Sequence, residues 1–156
     1  MRKIIPGILI IMLTGLILIF LSCTPESCFE ETEAFVKASF SLDGTTELQA
    51  PDSLSIYGLN MESFKIYDKA PNVTTGLLPL NPETGNSTFI IEINGITDTL
   101  VINYTSYPHL VSKECGYTFY HTIIDTPEHT TNIIKGILLN NSNISTINEE
   151  NIRIFY

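Results

Sequence analysis

The most specific chemistry in this sequence belongs to the thiol of Cys23, which follows a short cationic start and a largely apolar run over 4–21. A thiolate is a strong nucleophile that can accept a diacylglyceryl group, and the small Ser22 lets a peptidase reach the bond before Cys23. A cationic start, an apolar run and a small-residue junction are typical of a secretory signal peptide. The pattern predicts a signal peptide over 1–22 and, after its cleavage, a lipid on Cys23.

An uncleaved anchor helix is the alternative, because the apolar run approaches the roughly 20 residues that a membrane-spanning helix needs. Pro25 opposes that helix, since proline stops it from continuing. Phe20 weakens the lipidation signal, because an aliphatic residue is commoner at its position. Acyl chains contribute about 0.8 kcal/mol per buried methylene group, so several of them anchor a protein durably. We therefore expect a lipid-anchored protein of the cell envelope, with the outer membrane as its expected location.

The two remaining cysteines, Cys28 and Cys115, form an even pair in a compartment that is expected to be oxidising, which permits a disulfide. A bridge across so much of the exported chain would raise the free energy of unfolding by at most roughly 4–5 kcal/mol on the loop-entropy model. The alternative is a reactive Cys115 beside a histidine. We expect the bridge.

Catalytic and metal-binding patterns are weak in this sequence. The spacing of His109, His121 and His129 matches no common zinc pattern, and the chain has no Cys-x-x-Cys pair. The sequence also lacks a Gly-x-Ser-x-Gly elbow, a P-loop and a dinucleotide glycine pattern. A metal site would need loops to bring His109, Glu114 and His129 together. We expect no metal, no cofactor and no enzyme, with a metal- or thiol-dependent enzyme as the least favoured alternative.

Two Asp-Ser/Thr-Leu triplets, at 52–54 and 98–100, resemble the acceptor that some exported bacterial proteins use for O-glycosylation. A glycan is bulky and has to sit on the surface, so Ser53 and Thr99 are candidate acceptors. The alternative is that each triplet is a turn leading into a strand, with its polar side chains bonded to the local backbone.

Aromatic residues cluster in sequence around the Cys115-Gly116 turn. Buried aromatics in a β-sheet core are the default interpretation. If several stayed exposed together, they would form a sugar-binding or partner-binding surface. The candidates for such a surface are Tyr104, Tyr107, Tyr117 and Tyr120.

The acidic composition restricts the partners. The chain carries 8 Lys and Arg against 17 Asp and Glu, a formal charge of −9. Such a charge argues against nucleic acid and against anionic lipid surfaces as partners. The simplest role of the acidity is to keep an exported domain soluble.

The elements that must position these residues are strands, because apolar residues recur at a spacing of two rather than three to four. Asn94-Gly95 is a hairpin signal between two alternating segments. About eight or nine short strands predict an all-β, antiparallel sandwich, immunoglobulin-like in general architecture and of unspecified topology. We expect this domain over 34–156, after a lipidated acidic tether over 23–33.

Several segments resemble an uncharacterised family of Bacteroidota lipoproteins known as a domain of unknown function. The strongest are Val111–Tyr117 and Glu149–Tyr156, and with Ser53–Gly58 and shorter matches they extend over nearly all of the exported chain. The resemblance implies fold and compartment rather than activity. Genes of such relatives often lie beside genes for predicted outer-membrane barrels, which implies an envelope partner.

These observations together predict a lipid-anchored β-sandwich that acts by binding. The first hypothesis is a structural or adaptor lipoprotein that docks on an outer-membrane or other envelope protein, with an exposed edge strand such as Ile152–Tyr156 adding to the partner's sheet. The second is a glycan- or small-ligand-binding module that uses the aromatic residues near Tyr117.

Overall fold

A computed structural model describes residues 28–156 of the chain. The signal peptide predicted over 1–22 and the lipidation predicted at Cys23 lie outside the described residues. Within 28–156 the regular elements are all β-strands, and no helix there is long and apolar enough to span a membrane. The strands are β1 (Phe35–Ser41), β2 (Leu54–Gly58), β3 (Tyr67–Ala70), β4 (Thr75–Pro79), β5 (Asn86–Ile93), β6 (Ile96–Ser112), β7 (Gly116–Ile123), β8 (Glu128–His129), β9 (Gly136–Leu139), β10 (Asn143–Ile144) and β11 (Ile152–Phe155).

The strands form two sheets that pack around one hydrophobic cluster. The first sheet has the order β4-β1-β11-β9. The second has the order β10-β7-β6-β5-β2-β3, and β8 also pairs with β6. Two sheets with a shared apolar layer are a sandwich architecture, so the predicted all-β sandwich is confirmed.

The predicted hairpin between β5 and β6 is also confirmed. In β5 the alternate residues Phe89, Ile91 and Ile93 are buried, and burial of a side chain of this size stabilises the fold by about 1.5–3 kcal/mol. Asn94 and Gly95 both have positive φ, 51° and 83°, as a tight two-residue hairpin turn requires. The remaining core residues come from both sheets and from the segments between strands: Val36, Ala38, Phe40, Leu54, Ile56, Leu78, Leu100, Ile102, Tyr104, Ile123, Ile134, Ile144, Ile152 and Ile154.

One strand pair differs from the predicted antiparallel arrangement. β1 and β11 run parallel, with Ala38 opposite Ile152 and Ser41 opposite Phe155. They are the first and last strands, and parallel neighbours need a long connection rather than a hairpin, which the rest of the domain supplies. Because β11 also pairs with β9, it is not an edge strand. The hypothesis that Ile152–Tyr156 adds to a partner's sheet is therefore wrong.

A buried carboxylate fixes the segment between β8 and β9. Asp98 in β6 is 1% exposed. One of its oxygens accepts from the Asn132 amide (2.9 Å) and the Thr130 hydroxyl, and the other accepts from the amides of Ile133 (2.7 Å) and Ile134 (2.8 Å). Burial alone raises the pKa of Asp98, but these donors together bring that pKa below its ordinary value, because they favour the charged form.

Candidate functional site

The second half of β6 extends past its neighbour β5. β5 begins at Asn86, opposite Asn103, whereas β6 continues to Ser112. From Thr105 onward, the pairing of β6 within the described residues is with β7 alone. Residues 105–120 therefore form a two-stranded ribbon, which we call the arm. An isolated ribbon of this kind is marginally stable in water, so the arm needs additional support.

That support comes from the segment before β1. Cys28 and Cys115 form a disulfide with a Cα–Cα distance of 4.7 Å, which confirms the predicted bridge and leaves no free thiol at Cys115. Further along the arm, the hydroxyl of Thr118 donates to the carbonyl oxygen of Thr32. The end and the flank of the arm are thus fastened to the tether that precedes the domain.

Large apolar side chains remain exposed on both faces of the arm. On the face that continues the core side of β6, Leu110 lies opposite Tyr117 and Pro108 lies opposite Phe119. Tyr117 is 74% exposed, and Leu110 and Phe119 are about half exposed. The other face carries three rings, with Tyr120 stacked on His109 at 4.1 Å and edge-on to Tyr107 at 6.2 Å between centroids. The exposed large apolar side chains of the arm are Tyr107, Leu110, Tyr117 and Phe119.

Tyr104 does not belong to this surface, so its place among the candidates for an exposed binding surface is corrected. It is 1% exposed, because the alternation of β6 puts it on the inward face with the core residues of that strand. Its hydroxyl donates to the Asn81 carbonyl oxygen (2.9 Å) and accepts from the Asn81 amide (3.1 Å). It also shares hydrogen bonds with the hydroxyls of Ser87 (2.9 Å) and Thr84 (3.0 Å).

Removal of that hydroxyl gives a testable result. Tyr104→Phe should lower the free energy of unfolding by about 1–3 kcal/mol, because the buried partners of the hydroxyl lose their bonds. Tyr117→Phe is the matched control and should leave stability unchanged, since Tyr117 is exposed. Urea unfolding of the two variants and the parent protein measures both changes. Equal stability of Tyr104→Phe and the parent would contradict this role of the hydroxyl.

The two candidate glycosylation sites lie in different settings. Ser53 is half-buried just before β2, and its backbone exchanges two hydrogen bonds with Asn94 (3.0 and 2.9 Å). Thr99 is half-buried within β6, and its backbone amide donates to the hydroxyl of Thr130 (2.9 Å). The polar side chain of its triplet, Asp98, bonds to distant backbone rather than to a local turn. Glycosylation of either residue stays a prediction.

The histidines lie in three separate environments. His121 is 3% exposed, its Nδ1 is 2.8 Å from the Ser106 hydroxyl, and burial lowers its pKa. The Nδ1 of His129 is 2.8 Å from the carbonyl oxygen of Thr130. His109 lies within β6. Across residues 28–156, no group of three His, Cys, Asp or Glu side chains is placed to hold a metal ion.

A cleft of about 600 Å³ lies beside the base of the arm. Three parts of the chain line it: the end of β2 with the loop that follows, the end of β4 with the residues after it, and the start of β5. Its apolar lining includes Leu59, Met61, Phe64, Ile66, Leu80 and Phe89. A smaller cleft of about 270 Å³ lies between the tether and the arm, next to Phe119 and His121.

The larger cleft was missed in the sequence. The only signal for it was a set of apolar residues after β2 that a loop would not need, such as Met61 and Phe64. Phe64 precedes β3, which begins at Tyr67, and its side chain is exposed. No spacing rule connects this loop to β5, because their contact depends on the sheet order.

Comparison with known proteins places the domain in a family. A search of the curated proteins and a search of the solved structures give no match. The model of a family of unknown function, DUF6452, matches residues 53–156, which include the arm, Asp98 and every lining residue of the larger cleft. The chain therefore belongs to the DUF6452 family.

Proposed function

We propose that the protein is a lipid-anchored adaptor of the cell envelope that acts by binding and docks through the arm on a membrane-embedded envelope protein. The observation that carries this proposal is the exposure of Tyr107, Leu110, Tyr117 and Phe119 on one covalently fastened ribbon. Clustered apolar side chains on a surface commonly mark an interaction site. The tyrosines among them suit an interface especially well, because each combines a large apolar ring with a polar hydroxyl.

The backbone of the arm supports the same use. Along 105–112, β6 has no strand on its β5 side within the described part of the chain. Its unpaired backbone groups, which lack an N–H only at Pro108, can pair with a short extended segment of a partner. Such docking would place the partner's alternate side chains against the two apolar faces of the arm.

The charge of the arm favours an apolar partner surface. Residues 105–120 contain one lysine, Lys113, and one glutamate, Glu114, whereas the whole chain has a formal charge of −9. A docking surface without net charge gains little from long-range attraction and is little affected by salt. We therefore expect the complex to survive high ionic strength.

The tether supports a partner in the membrane. Only five chain positions separate Cys23, the expected lipidation site, from Cys28. Five residues span at most roughly 16–18 Å, and Cys28 is bridged to Cys115 at the end of the arm. A lipid on Cys23 would therefore keep this end of the arm close to the membrane surface, where membrane-embedded proteins expose their loops.

Glycan binding is the second candidate function. The observation that favours it is the group of three neighbouring rings on one face of the arm, His109, Tyr107 and Tyr120. Aromatic rings provide apolar faces with polar edges, which suits the mixed surface of a sugar. The stacking of His109 on Tyr120 already covers part of these ring faces, so we place this function second.

Site-specific photocrosslinking in cells tests the adaptor proposal. A photoreactive phenylalanine analogue replaces Tyr117 on the arm or, as a matched control, Phe64, which is equally exposed but lies on the loop after β2. We expect position 117 to crosslink to one membrane-embedded envelope protein, identified by mass spectrometry, and position 64 not to do so. Cys23→Ala should abolish the crosslink, because the arm is then no longer held at the membrane.

Two results would overturn the proposal. One is the absence of a specific crosslink at position 117 in a protein that is correctly lipidated and bridged. The other is a crosslink at 117 that persists in full after Cys23→Ala, which would mean that docking does not depend on the anchor.

A further inference from the structure

We propose that the larger cleft binds an uncharged amphiphile with a single alkyl chain, of the class of monoacylglycerols. The alkyl chain lies against Leu59, Met61, Phe64 and Phe89, and the hydroxylated end meets the polar side chains at the start of β5. This site is separate from the arm, and it needs neither the lipid anchor nor a protein partner.

The size and walls of the cleft suit a small ligand. Its volume of about 600 Å³ falls within the range of roughly 300–1,000 Å³ that small-molecule sites have. The walls are mostly aliphatic, and Met61 contributes a flexible thioether that adapts to irregular shapes. An alkyl chain fits such walls better than a rigid ring system does.

The loop at the mouth of the cleft holds apolar side chains in solvent. Phe64 is 77% exposed, and Leu59 and Met61 are about half exposed. The backbone of this loop is hydrogen-bonded: Leu59 donates to Thr88 (3.0 Å), Met61 to Gly58 (2.9 Å) and Phe64 to Met61 (2.9 Å). The exposure therefore belongs to an ordered loop, and an apolar ligand in the cleft would cover part of this surface.

The absence of charge from the lining selects an uncharged ligand. Among the described residues, those that line the cleft include no Asp, Glu, Lys, Arg or His, although 16% of the chain is charged. A charged headgroup buried here would lose its hydration and find no opposite charge, which is costly. A fatty acid anion is therefore disfavoured relative to a neutral ester of the same chain.

The polar end of the cleft is a hydroxyl network that the core holds in place. Ser87 and Thr84 line the cleft, and both hydrogen-bond to the buried hydroxyl of Tyr104, at 2.9 and 3.0 Å. The Thr84 hydroxyl also lies 2.9 Å from the Asn86 carbonyl oxygen. Hydroxyl oxygens have two acceptor positions each, so this network can receive the hydroxyl groups of a glycerol-like headgroup.

The lack of tryptophan in the whole chain allows a direct binding experiment. Phe64→Trp introduces a single tryptophan, which can be excited selectively, at the mouth of the cleft, and the full chain is kept soluble in an amphipathic polymer instead of detergent. The probe is a short monoacylglycerol with a dibrominated chain, because bromine quenches the fluorescence of a nearby tryptophan. It is titrated below its critical micelle concentration. Tyr117→Trp, on the arm, is the matched control.

We expect saturable quenching of the tryptophan at position 64 and none at position 117. The dibrominated fatty acid anion of the same chain should bind at least about tenfold more weakly, because its charge has no partner in the cleft. Met61→Asp, combined with Phe64→Trp, should weaken binding of the monoacylglycerol to a similar extent. Met61 is 53% exposed, so this change should leave the fold intact, which circular dichroism checks.

Three outcomes would each overturn the proposal: no saturable quenching at position 64, equal binding of the anion and the neutral ester, or unchanged binding in Met61→Asp. If that last variant fails to fold, Leu59→Asp at the same mouth replaces it, with the same expected loss of binding.

Discussion

Removal of the disulfide, by Cys28→Ser together with Cys115→Ser, should lower the free energy of unfolding by as much as about 4–5 kcal/mol on the loop-entropy model. The bridge joins residues 87 positions apart, so it restricts the unfolded chain strongly. Its local effect should be largest in the arm, because a two-stranded ribbon is marginally stable without support. We expect the amides of 105–120 to exchange hydrogen much faster in the variant, while those of β5 change only with global stability.

The redox state of the parent protein provides the control for this prediction. Urea unfolding and hydrogen exchange of the reduced parent should match those of the double variant, and reductant should have no effect on the variant itself. If mass spectrometry shows complete reduction and the unfolding curve of the parent does not move, the bridge contributes no stability and the support of the arm lies elsewhere.

The parts of the fold that depend on neighbouring residues were predictable from the sequence. Alternation of apolar residues in β5 and the Asn94-Gly95 turn specify the β5–β6 hairpin locally. The same alternation groups Tyr104 with Leu100 and Ile102, so the burial of Tyr104 was already indicated by its strand position. Its nearness in sequence to the exposed tyrosines carried no information about which face it occupies.

The parts that depend on distant residues were not predictable. The parallel pairing of β1 with β11 joins the two ends of the domain, and no turn signal marks such a pair. Pro108 opposes a strand over 105–112, because proline has no N–H to donate to a sheet. β6 accommodates it because, among residues 28–156, this half of the strand pairs on one side only, with β7. The arm therefore emerges only from the three-dimensional arrangement, whereas its bridge to Cys28 was predicted from the even pair of cysteines.

The hydrogen-bond partners of Asp98 were likewise not predictable from the sequence. Its triplet suggested either a glycosylation acceptor or a local turn, but its partners lie 32 to 36 positions away, in the segment from Thr130 to Ile134. Three of the four donors are backbone amides, and amides leave no recognisable sequence pattern. The carboxylate thus accepts hydrogen bonds from backbone amides that no strand pairing satisfies and that would otherwise be left without an acceptor.

Asp98→Asn is consequently expected to be strongly destabilising, by about 3–5 kcal/mol, because the amide group can no longer accept from donors at both oxygens. The effect should depend on pH. The pKa of Asp98 is lowered in the folded state, so its contribution is complete above the unfolded value of about 3.9 and is lost as the pH falls towards the folded value. The stability difference between parent and variant should therefore be largest near neutral pH and shrink below about pH 4.

Asp52→Asn is the matched control, since Asp52 occupies the same position in the other triplet and is exposed. Urea unfolding of both variants between acidic and neutral pH measures the effect, and Asp52→Asn should leave stability unchanged throughout. A constant difference for Asp98→Asn at every pH would mean that its cost comes from shape rather than from charge. If Asp98→Asn has a negligible effect on the free energy of unfolding at neutral pH, this carboxylate is not what holds the segment over 130–134 in place. Burial of the Ile134 side chain would then be the main interaction that holds it.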